Sequence, residues 1–124
     1  MKYHVLTLFP EMIENTVNTS ITGRALKSGK ISLHTVNIRD FADNKHMRVD
    51  DYPYGGGAGM VMQAEPVFRA YESVRKESQA ARQGKKPRCI YLTPQGQVFR
   101  QTMVEELAME EELIFLCGHY EGID

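Results

Sequence analysis

Two short, unbroken apolar runs on either side of a helical pattern constrain the fold of this chain most. The runs are Cys89–Leu92 and Leu113–Cys117, and continuous apolar stretches of this length are typical of strands buried in a parallel sheet. A strand, a helix and a strand in this order predict two parallel neighbouring strands joined by a right-handed crossover. The apolar residues that give the helical spacing between the runs are Val98, Phe99, Met103 and Leu107.

The rest of the chain continues the alternation of strands and helices. Further strands are predicted over Tyr3–Phe9 and Ile31–Ile38, the second with the alternating pattern of a strand near a sheet edge. Further helices are predicted from Pro10, over Ile21–Ser28 and from Glu65, where Val67, Phe68, Tyr71 and Val74 keep helical spacing before a basic linker, Arg82–Arg88. We therefore predict an α/β domain with a mostly parallel sheet flanked by helices.

Composition limits the class of protein. With 124 residues, 42% of them hydrophobic, the chain suits one globular domain. Fifteen basic against sixteen acidic residues leave a formal net charge of −1, so no overall positive field indicates a nucleic-acid partner. The apolar runs are shorter than the roughly 20 residues that a membrane span takes, and the opening residues lack the small-residue cleavage site of a secretory signal, so we expect these residues not to be one. We expect a cytoplasmic protein, with Cys89 and Cys117 as buried free thiols.

A long segment without periodicity, residues 39–62, is rich in Asp, Tyr and Gly. Long irregular segments in compact domains are usually functional, so we predict a binding loop here. Its glycines allow a ligand to approach the backbone closely, and tyrosines and methionines flank them. The alternative is a flexible tether. The loop is neither a nucleoside-triphosphate loop nor a dinucleotide fingerprint, because no Lys-Ser or Lys-Thr pair follows the glycines and no G-x-G-x-x-G follows a strand.

Two glycine-containing segments, Thr93–Gly96 and Gly118–Asp124, each follow a predicted buried strand directly. If those strands are parallel neighbours, both segments lie at the carboxyl edge of the sheet, where open α/β sheets bind ligands. The alternative for the first segment is a simple tight turn. In the second, the Glu121 carboxylate is placed to accept hydrogen bonds from a polar ring or to assist proton transfer. No spacing of His, Cys and carboxylates suits zinc, so we expect no structural metal.

Several ordered segments together resemble one enzyme family, the bacterial tRNA (guanine-N1)-methyltransferases. They are Leu6–Met12, Arg39–Phe41, Asp50–Met60, Tyr91–Gly96 and Cys117–Asp124. The resemblance covers the whole chain and corresponds to the N-terminal half or so of the family's length. It implies a SPOUT-type domain that is closed by a trefoil knot in the complete protein and acts as a homodimer. We expect residues 1–124 to form the N-terminal part of this domain, with the knot incomplete and the C-terminal domain outside the chain.

The resemblance also implies an activity: transfer of a methyl group from S-adenosylmethionine to N1 of the guanosine 3′ of the anticodon in tRNA. A supporting magnesium ion is a further expectation that no residue here anchors. The family's general base is an aspartate beyond position 124, so the chain alone is expected to be inactive. Glu121 is the candidate contact to the target base.

The resemblance assigns the remaining residues to two sites. The expected methyl-donor pocket comprises Leu92, Thr93, Pro94, Gln95, Gly96, Gly118, Tyr120 and Glu121. The expected substrate-binding loop comprises Tyr54, Gly55, Gly56, Gly57, Gly59 and Met60. Independently of the resemblance, three basic clusters could contact phosphates, the alternative being that they are merely solvated: Arg24, Lys27 and Lys30; Arg39, Lys45 and Arg48; and Arg82, Lys85, Lys86 and Arg88.

Two alternatives remain open at the level of sequence. A SPOUT methyltransferase for another RNA position would share the donor pocket, but it would lack the loop Asp50–Gly59. A non-catalytic RNA- or nucleotide-binding module would bind without turnover, and calorimetry with the methyl donor, with and without tRNA, separates it from an enzyme.

Overall fold

The structure, a computed structural model, describes residues 1–42, 50–51 and 61–118. Its elements are β1 (Lys2–Thr7), α1 (Pro10–Val17), α2 (Ser20–Lys27), β2 (Ser32–Asn37), a 3₁₀ turn (Ile38–Phe41), β3 (Asp50–Asp51), β4 (Val61–Met62), α3 (Ala64–Glu77), α4 (Gln79–Arg82), β5 (Arg88–Leu92), α5 (Gln101–Leu107) and β6 (Glu112–Cys117). Within those residues no helix combines the length and the hydropathy needed to cross a bilayer.

Four parallel strands form the main sheet, in the order β2-β1-β6-β5. Thus β1 is hydrogen-bonded on both sides, and β2 lies at an edge, as its alternating pattern predicts. The strands on either side of α5 are parallel neighbours, with Leu92 opposite Cys117. The predicted α/β architecture with a parallel sheet flanked by helices is confirmed.

One face of the sheet packs against α3. Leu6 on β1 and Ile114 on β6 are fully buried, and they belong to the same apolar cluster as Val67, Ala70 and Val74 of α3. The three helical positions follow a spacing of three and four residues, which places them on one stripe. Phe68 was predicted for this stripe, but it is 61% exposed, since it lies beside the stripe and points away from the sheet.

The other face of the sheet is covered by α1 near β2 and by α5 near β6. Leu107 at the end of α5 is buried, and it lines a small cavity of about 170 Å³ together with Tyr3, Leu113 and Phe115. The prediction placed Val98 and Phe99 inside this helix. It is wrong for both, because α5 begins only at Gln101 and the two side chains are largely exposed.

The prediction that the run Cys89–Leu92 is a buried strand is also wrong. β5 pairs with β6 on one side and has no second strand beside it in the described part of the chain, so most of its residues are exposed. Cys89 is exposed as well, contrary to the expectation for its thiol, and Cys117 is half-buried. Burial raises the pKa of the Cys117 thiol above its ordinary value.

The predicted irregular segment, residues 39–62, contains some regular structure. The 3₁₀ turn occupies its start, and β3 pairs with β4 as a two-residue antiparallel ladder in which Asp50 lies opposite Met62. The Met62 side chain is fully buried in the apolar cluster under α3, so the end of the segment is anchored to the core. Residues 43–49 and 52–60 lie outside the described residues.

Candidate functional site

The carboxyl ends of β5 and β6 bring together the first residues of two predicted site segments. Leu92 and Cys117 are partners in the parallel register, so Thr93 and Gly118 leave the sheet side by side at the same edge. The expectation that both segments share one edge rested on the strands being parallel neighbours, and the topology confirms that condition. This edge is the usual ligand-binding edge of open parallel sheets.

Residues 93–96 form a tight turn that Thr93 organises. The Gln95 amide donates to Thr93 Oγ1 at 3.3 Å, and the Gly96 amide donates to the Thr93 carbonyl at 3.2 Å. Gly96 is not in the left-handed region, and an added Cβ there would lie 3.4 Å from Thr93 Cγ2, an ordinary contact. The turn itself therefore does not require glycine, which favours close approach of a ligand as the reason for this residue.

Gly118 has a different constraint, imposed by Tyr91 on the neighbouring strand. A Cβ at Gly118 would lie 3.0 Å from Tyr91 Cε1 and 3.1 Å from Tyr91 Oη, closer than carbon atoms normally pack. The aromatic ring thus lies across the glycine at the strand end. Tyr91 was not among the predicted site residues. Alternation along the strand does not reveal this contact, because it depends on the register between strands, in which Tyr91 is paired with Leu116, two residues before Gly118.

The described candidates are uncharged and accessible. Leu92 is 52% exposed, Tyr91 is 40% exposed, and the turn that follows them is mostly exposed. They offer backbone amides and carbonyls, the Thr93 hydroxyl, the Gln95 amide and apolar surface from Leu92 and Tyr91. Backbone groups combined with apolar and aromatic side chains are what a site for a neutral heteroaromatic ring uses. The residues present therefore fit the adenosine part of a methyl donor.

The remaining predicted site residues lie outside the described part of the chain. They are Tyr120 and Glu121 after β6, and Tyr54, Gly55, Gly56, Gly57, Gly59 and Met60 between β3 and β4. Their assignments stay predictions. In the described residues no cluster of three or more His, Cys, Asp or Glu side chains has an arrangement that would hold a metal ion.

A buried polar cluster lies at the opposite, amino end of the sheet. The fully buried His4 places Nδ1 3.0 Å from His34 Nδ1 and Nε2 3.5 Å from Glu112 Oε1. The same Glu112 carboxylate accepts the Gln79 amide at the start of α4. Burial lowers the pKa of His4, with the Glu112 carboxylate opposing the shift. In one arrangement of protons His34 Nδ1–H donates to His4 Nδ1, and His4 Nε2–H then faces Glu112 Oε1 at 3.5 Å. This contact is not a hydrogen bond, so His4 Nε2 is buried without a hydrogen-bond partner among the described residues.

Comparison with known proteins decides the family. The sequence profile described as "tRNA (Guanine-1)-methyltransferase TrmD" matches residues 1–124, the whole chain. The chain belongs to this family. A tRNA (guanine-N(1)-)-methyltransferase from Lachnospira eligens is 58% identical over 124 residues, and one from Lachnoclostridium phytofermentans is 52% identical over 145 aligned positions. Both alignments cover all of this chain, but only 50% and 53% of those relatives, and the chain is their N-terminal half.

A solved structure shows the same fold. The crystal structure of the tRNA (m1G37) methyltransferase from Aquifex aeolicus superposes with a TM-score of 0.85 at 35% sequence identity. The match covers 100% of this chain and 53% of that one. The resemblance inferred from the sequence motifs is confirmed at the level of family and fold.

Proposed function

We propose that this chain, joined to a C-terminal half like that of its relatives, transfers a methyl group from S-adenosylmethionine to N1 of the guanosine 3′ of the anticodon in tRNA. The observation that carries the proposal is the match of the entire chain to one family whose curated relatives are named for this reaction. The same match favours this reaction over a SPOUT enzyme for another RNA position and over a non-catalytic binding module.

The geometry of the sheet edge supports the donor half of the proposal. Thr93 and Gly118 leave the sheet side by side. Gly96 lacks a side chain although its backbone conformation does not require glycine, and the Tyr91 ring lies across Gly118. Leu92, Thr93, Pro94 and Gln95 complete the described part of the pocket. We assign Tyr120 to its continuation and Glu121 to its border, with the carboxylate directed to the target base and not to the donor. The donor supplies an electrophilic sulfonium methyl when it is bound.

The chemistry at guanine defines what the chain's other residues would do. N1 of guanine carries a proton, and its lone pair becomes nucleophilic only as that proton leaves, so a base must lie beside the reacting edge. We assign Glu121 to accept a hydrogen bond from the guanine N1–H or amino group. The proton itself goes to the aspartate that the family resemblance places beyond residue 124. The loop with Tyr54, Gly55, Gly56, Gly57, Gly59 and Met60 is assigned to the target base and the methionine part of the donor.

Assembly and environment belong to the same proposal. We assign the complete protein a SPOUT trefoil knot, a homodimeric state and a cytoplasmic location, with magnesium as a supporting ion. The open side of β5 and the largely exposed Val98 and Phe99 support the first two. They form apolar surface that a later segment of the same chain or a second subunit would cover.

The test uses a chimaera in which this chain is followed by the C-terminal half of the Lachnospira eligens relative. The purified chimaera is incubated with labelled methyl donor and a tRNA transcript that carries guanosine 3′ of the anticodon. A matched transcript carries adenosine at that single position. We expect label in the first RNA only, recovered as N1-methylguanosine after nuclease digestion.

Two results would contradict the proposal. Label at a different nucleotide would identify a SPOUT enzyme for another RNA position. Binding of donor and tRNA by calorimetry, without any label in the RNA under single-turnover conditions, would identify a non-catalytic module.

A further inference from the structure

The charges of the chain are strongly segregated around α2. Residues 15–39 contain no Asp or Glu, whereas the whole chain has sixteen. The same 25 residues contain four of the fifteen basic residues: Arg24, Lys27, Lys30 and Arg39. A near-neutral protein thus has one acid-free stretch with a local positive charge, which is the electrostatic requirement for contact with a polyanion.

The structure gathers three of these cations at one helix end. Arg24 and Lys27 are one turn apart on α2, so they are neighbours on its surface. Lys30 stays with them because Gly29, with φ of 78°, turns the chain back and the Lys30 amide donates to the Ala25 carbonyl at 3.0 Å. All three side chains are exposed, and no carboxylate of the described residues pairs with them.

A shallow recess of about 570 Å³ adjoins these cations, and Asn18, Ser20, Gly23, Arg24 and Lys27 line it. It depends on glycine at 23, because a Cβ there would lie 2.7 Å from the Asn18 carbonyl carbon. The preceding Ser20 has a φ of 55°, an uncommon conformation for a residue other than glycine. The backbone at the start of α2 is thus tightly packed and strained beside the cations.

Core packing does not account for this arrangement. Neither α1 nor α2 contains a fully buried residue, so the sheet does not impose the recess. Nearby polar side chains divide into two kinds. Those of Thr19 and Thr22 donate to backbone carbonyls, whereas the exposed side chains of Asn18 and Ser20 make no hydrogen bond within the described residues. Free amide and hydroxyl donors beside cations are the usual partners of phosphate oxygens.

We propose that this α2 cation surface, formed by Asn18, Ser20, Arg24, Lys27 and Lys30, contacts the sugar–phosphate backbone of the RNA substrate. The inference rests on the proposed function for the identity of the RNA. α2 leads to the amino end of β2, whereas the candidate donor site lies at the carboxyl ends of β5 and β6. Because β2 and β5 are also opposite edges of the sheet, the surface lies more than a strand length, about 20 Å, from that site. Double-stranded RNA arms bridge such distances, since small RNA-binding domains span about 16 base pairs. The surface positions the RNA and does not read its bases.

The test compares two triple variants of the chimaera that change charge equally. R24Q/K27Q/K30Q alters the α2 cation surface, and K2Q/K76Q/R100Q, which removes three exposed cations outside the expected basic clusters, is the matched control. The dissociation constant for the tRNA transcript is measured from 50 to 300 mM KCl. Each lost phosphate contact lowers the slope of log K against log salt by roughly 0.7–0.9. For the first variant we expect the magnitude of this slope to fall by about 2 and tRNA binding to weaken at least tenfold at 100 mM KCl. For the control we expect the magnitude of the slope to change by less than 1.

Two further readouts separate this surface from the reaction itself. Donor affinity by calorimetry and the single-turnover rate at saturating tRNA are expected to stay at parental values in the first variant. If the parental chimaera binds tRNA without methylating it, the proposed function fails while the comparison of slopes still decides the inference. Should the triple variant not fold, as judged by circular dichroism, R24Q and K27Q are tested singly, each with an expected slope change near 1.

Equal slopes for the two triple variants, or for the single variants and the parent, would overturn the proposal. So would an unchanged tRNA slope in a variant that loses binding to vesicles containing phosphatidylserine, because the cations would then serve a lipid surface.

Discussion

The contact between Gly118 and Tyr91 gives the sharpest test of the candidate donor site. In Gly118→Ala the new Cβ would lie 3.0 Å from Tyr91 Cε1 and 3.1 Å from Tyr91 Oη. Carbon atoms pack best at about 3.5–4.0 Å, so the overlap is close to half an ångström. Gly118 is not in the left-handed region, and the backbone itself therefore accepts alanine. The free-energy cost of the substitution therefore comes from displacing the Tyr91 ring.

The exposure of Tyr91 sets how much stability Gly118→Ala is expected to lose. Overpacking in a closed core costs about 1–3 kcal/mol, and a ring that is 40% exposed has room to turn, so we expect about 1 kcal/mol of destabilisation. The displaced ring then occupies the space over the strand ends. We expect the dissociation constant for S-adenosylmethionine to rise at least tenfold in the chimaera, which corresponds to about 1.4 kcal/mol.

A double-mutant cycle with Tyr91→Leu isolates this contact, and Gly96→Ala is the matched control. Urea unfolding gives the free energies, and calorimetry gives donor affinity. Gly118→Ala is expected to destabilise the parent but not the Tyr91→Leu background, a coupling of about 1 kcal/mol. Gly96→Ala is expected to weaken donor binding with little change in stability, since its Cβ makes an ordinary contact with Thr93.

Two results would refute this reasoning. If the effects of Gly118→Ala and Tyr91→Leu on unfolding add to within about 0.5 kcal/mol, the ring does not lie across the glycine in solution. If Gly96→Ala and Gly118→Ala both leave donor affinity unchanged, the adjacent strand ends do not form the donor pocket.

Three further predictions follow. Glu121→Gln in the chimaera is expected to leave donor affinity unchanged by calorimetry and to lower single-turnover methylation at least tenfold; loss of donor affinity with normal turnover at saturating donor would reassign the residue to the donor. Burial lowers the pKa of His4, so the unfolded chain binds the proton more tightly, and the free energy of unfolding is expected to fall as the pH drops below 6.5; urea titrations from pH 7.5 to 5 should show this fall, and His4→Gln should flatten it. Residues 1–124 alone are expected to transfer no methyl group to tRNA, and label in the RNA with a sample of confirmed intact mass would contradict the assignment of the base.

Local sequence patterns predicted the type of most elements because each had a strong local cause. Pro10 starts α1 at its first turn, Gly29 with positive φ ends the turn after α2, and alternation placed β2 at an edge. The boundary of α5 was predicted less well, since Val98 and Phe99 fit a helical spacing although α5 begins only at Gln101. Apolar spacing cannot distinguish a helical turn from exposed apolar residues that precede a helix.

The failures at β5 have a tertiary cause. An unbroken apolar run predicts burial on both faces, but burial depends on which strands and helices lie beside the run. In the described fold β5 has one neighbouring strand, and so Cys89 and Leu92 are exposed. The candidate site was more predictable than this burial, because its position depends only on β5 and β6 being parallel and adjacent. Tyr91 was missed because its role arises from a contact across strands.

The polar groups at the two ends of the sheet differ in accessibility and therefore in what they can do chemically. At the carboxyl edge, Thr93, Gln95 and Gly96 keep backbone and uncharged side-chain groups accessible, as a ligand requires. At the amino end, His4 is buried and Glu112 is partly buried, and the Glu112 carboxylate accepts a hydrogen bond from the Gln79 backbone amide at the start of α4. A buried group that is tied to three strands and a helix start cannot move to meet a substrate. The His4 cluster therefore belongs to the scaffold and not to the candidate site, and its predicted pH dependence belongs to unfolding and not to methyl transfer.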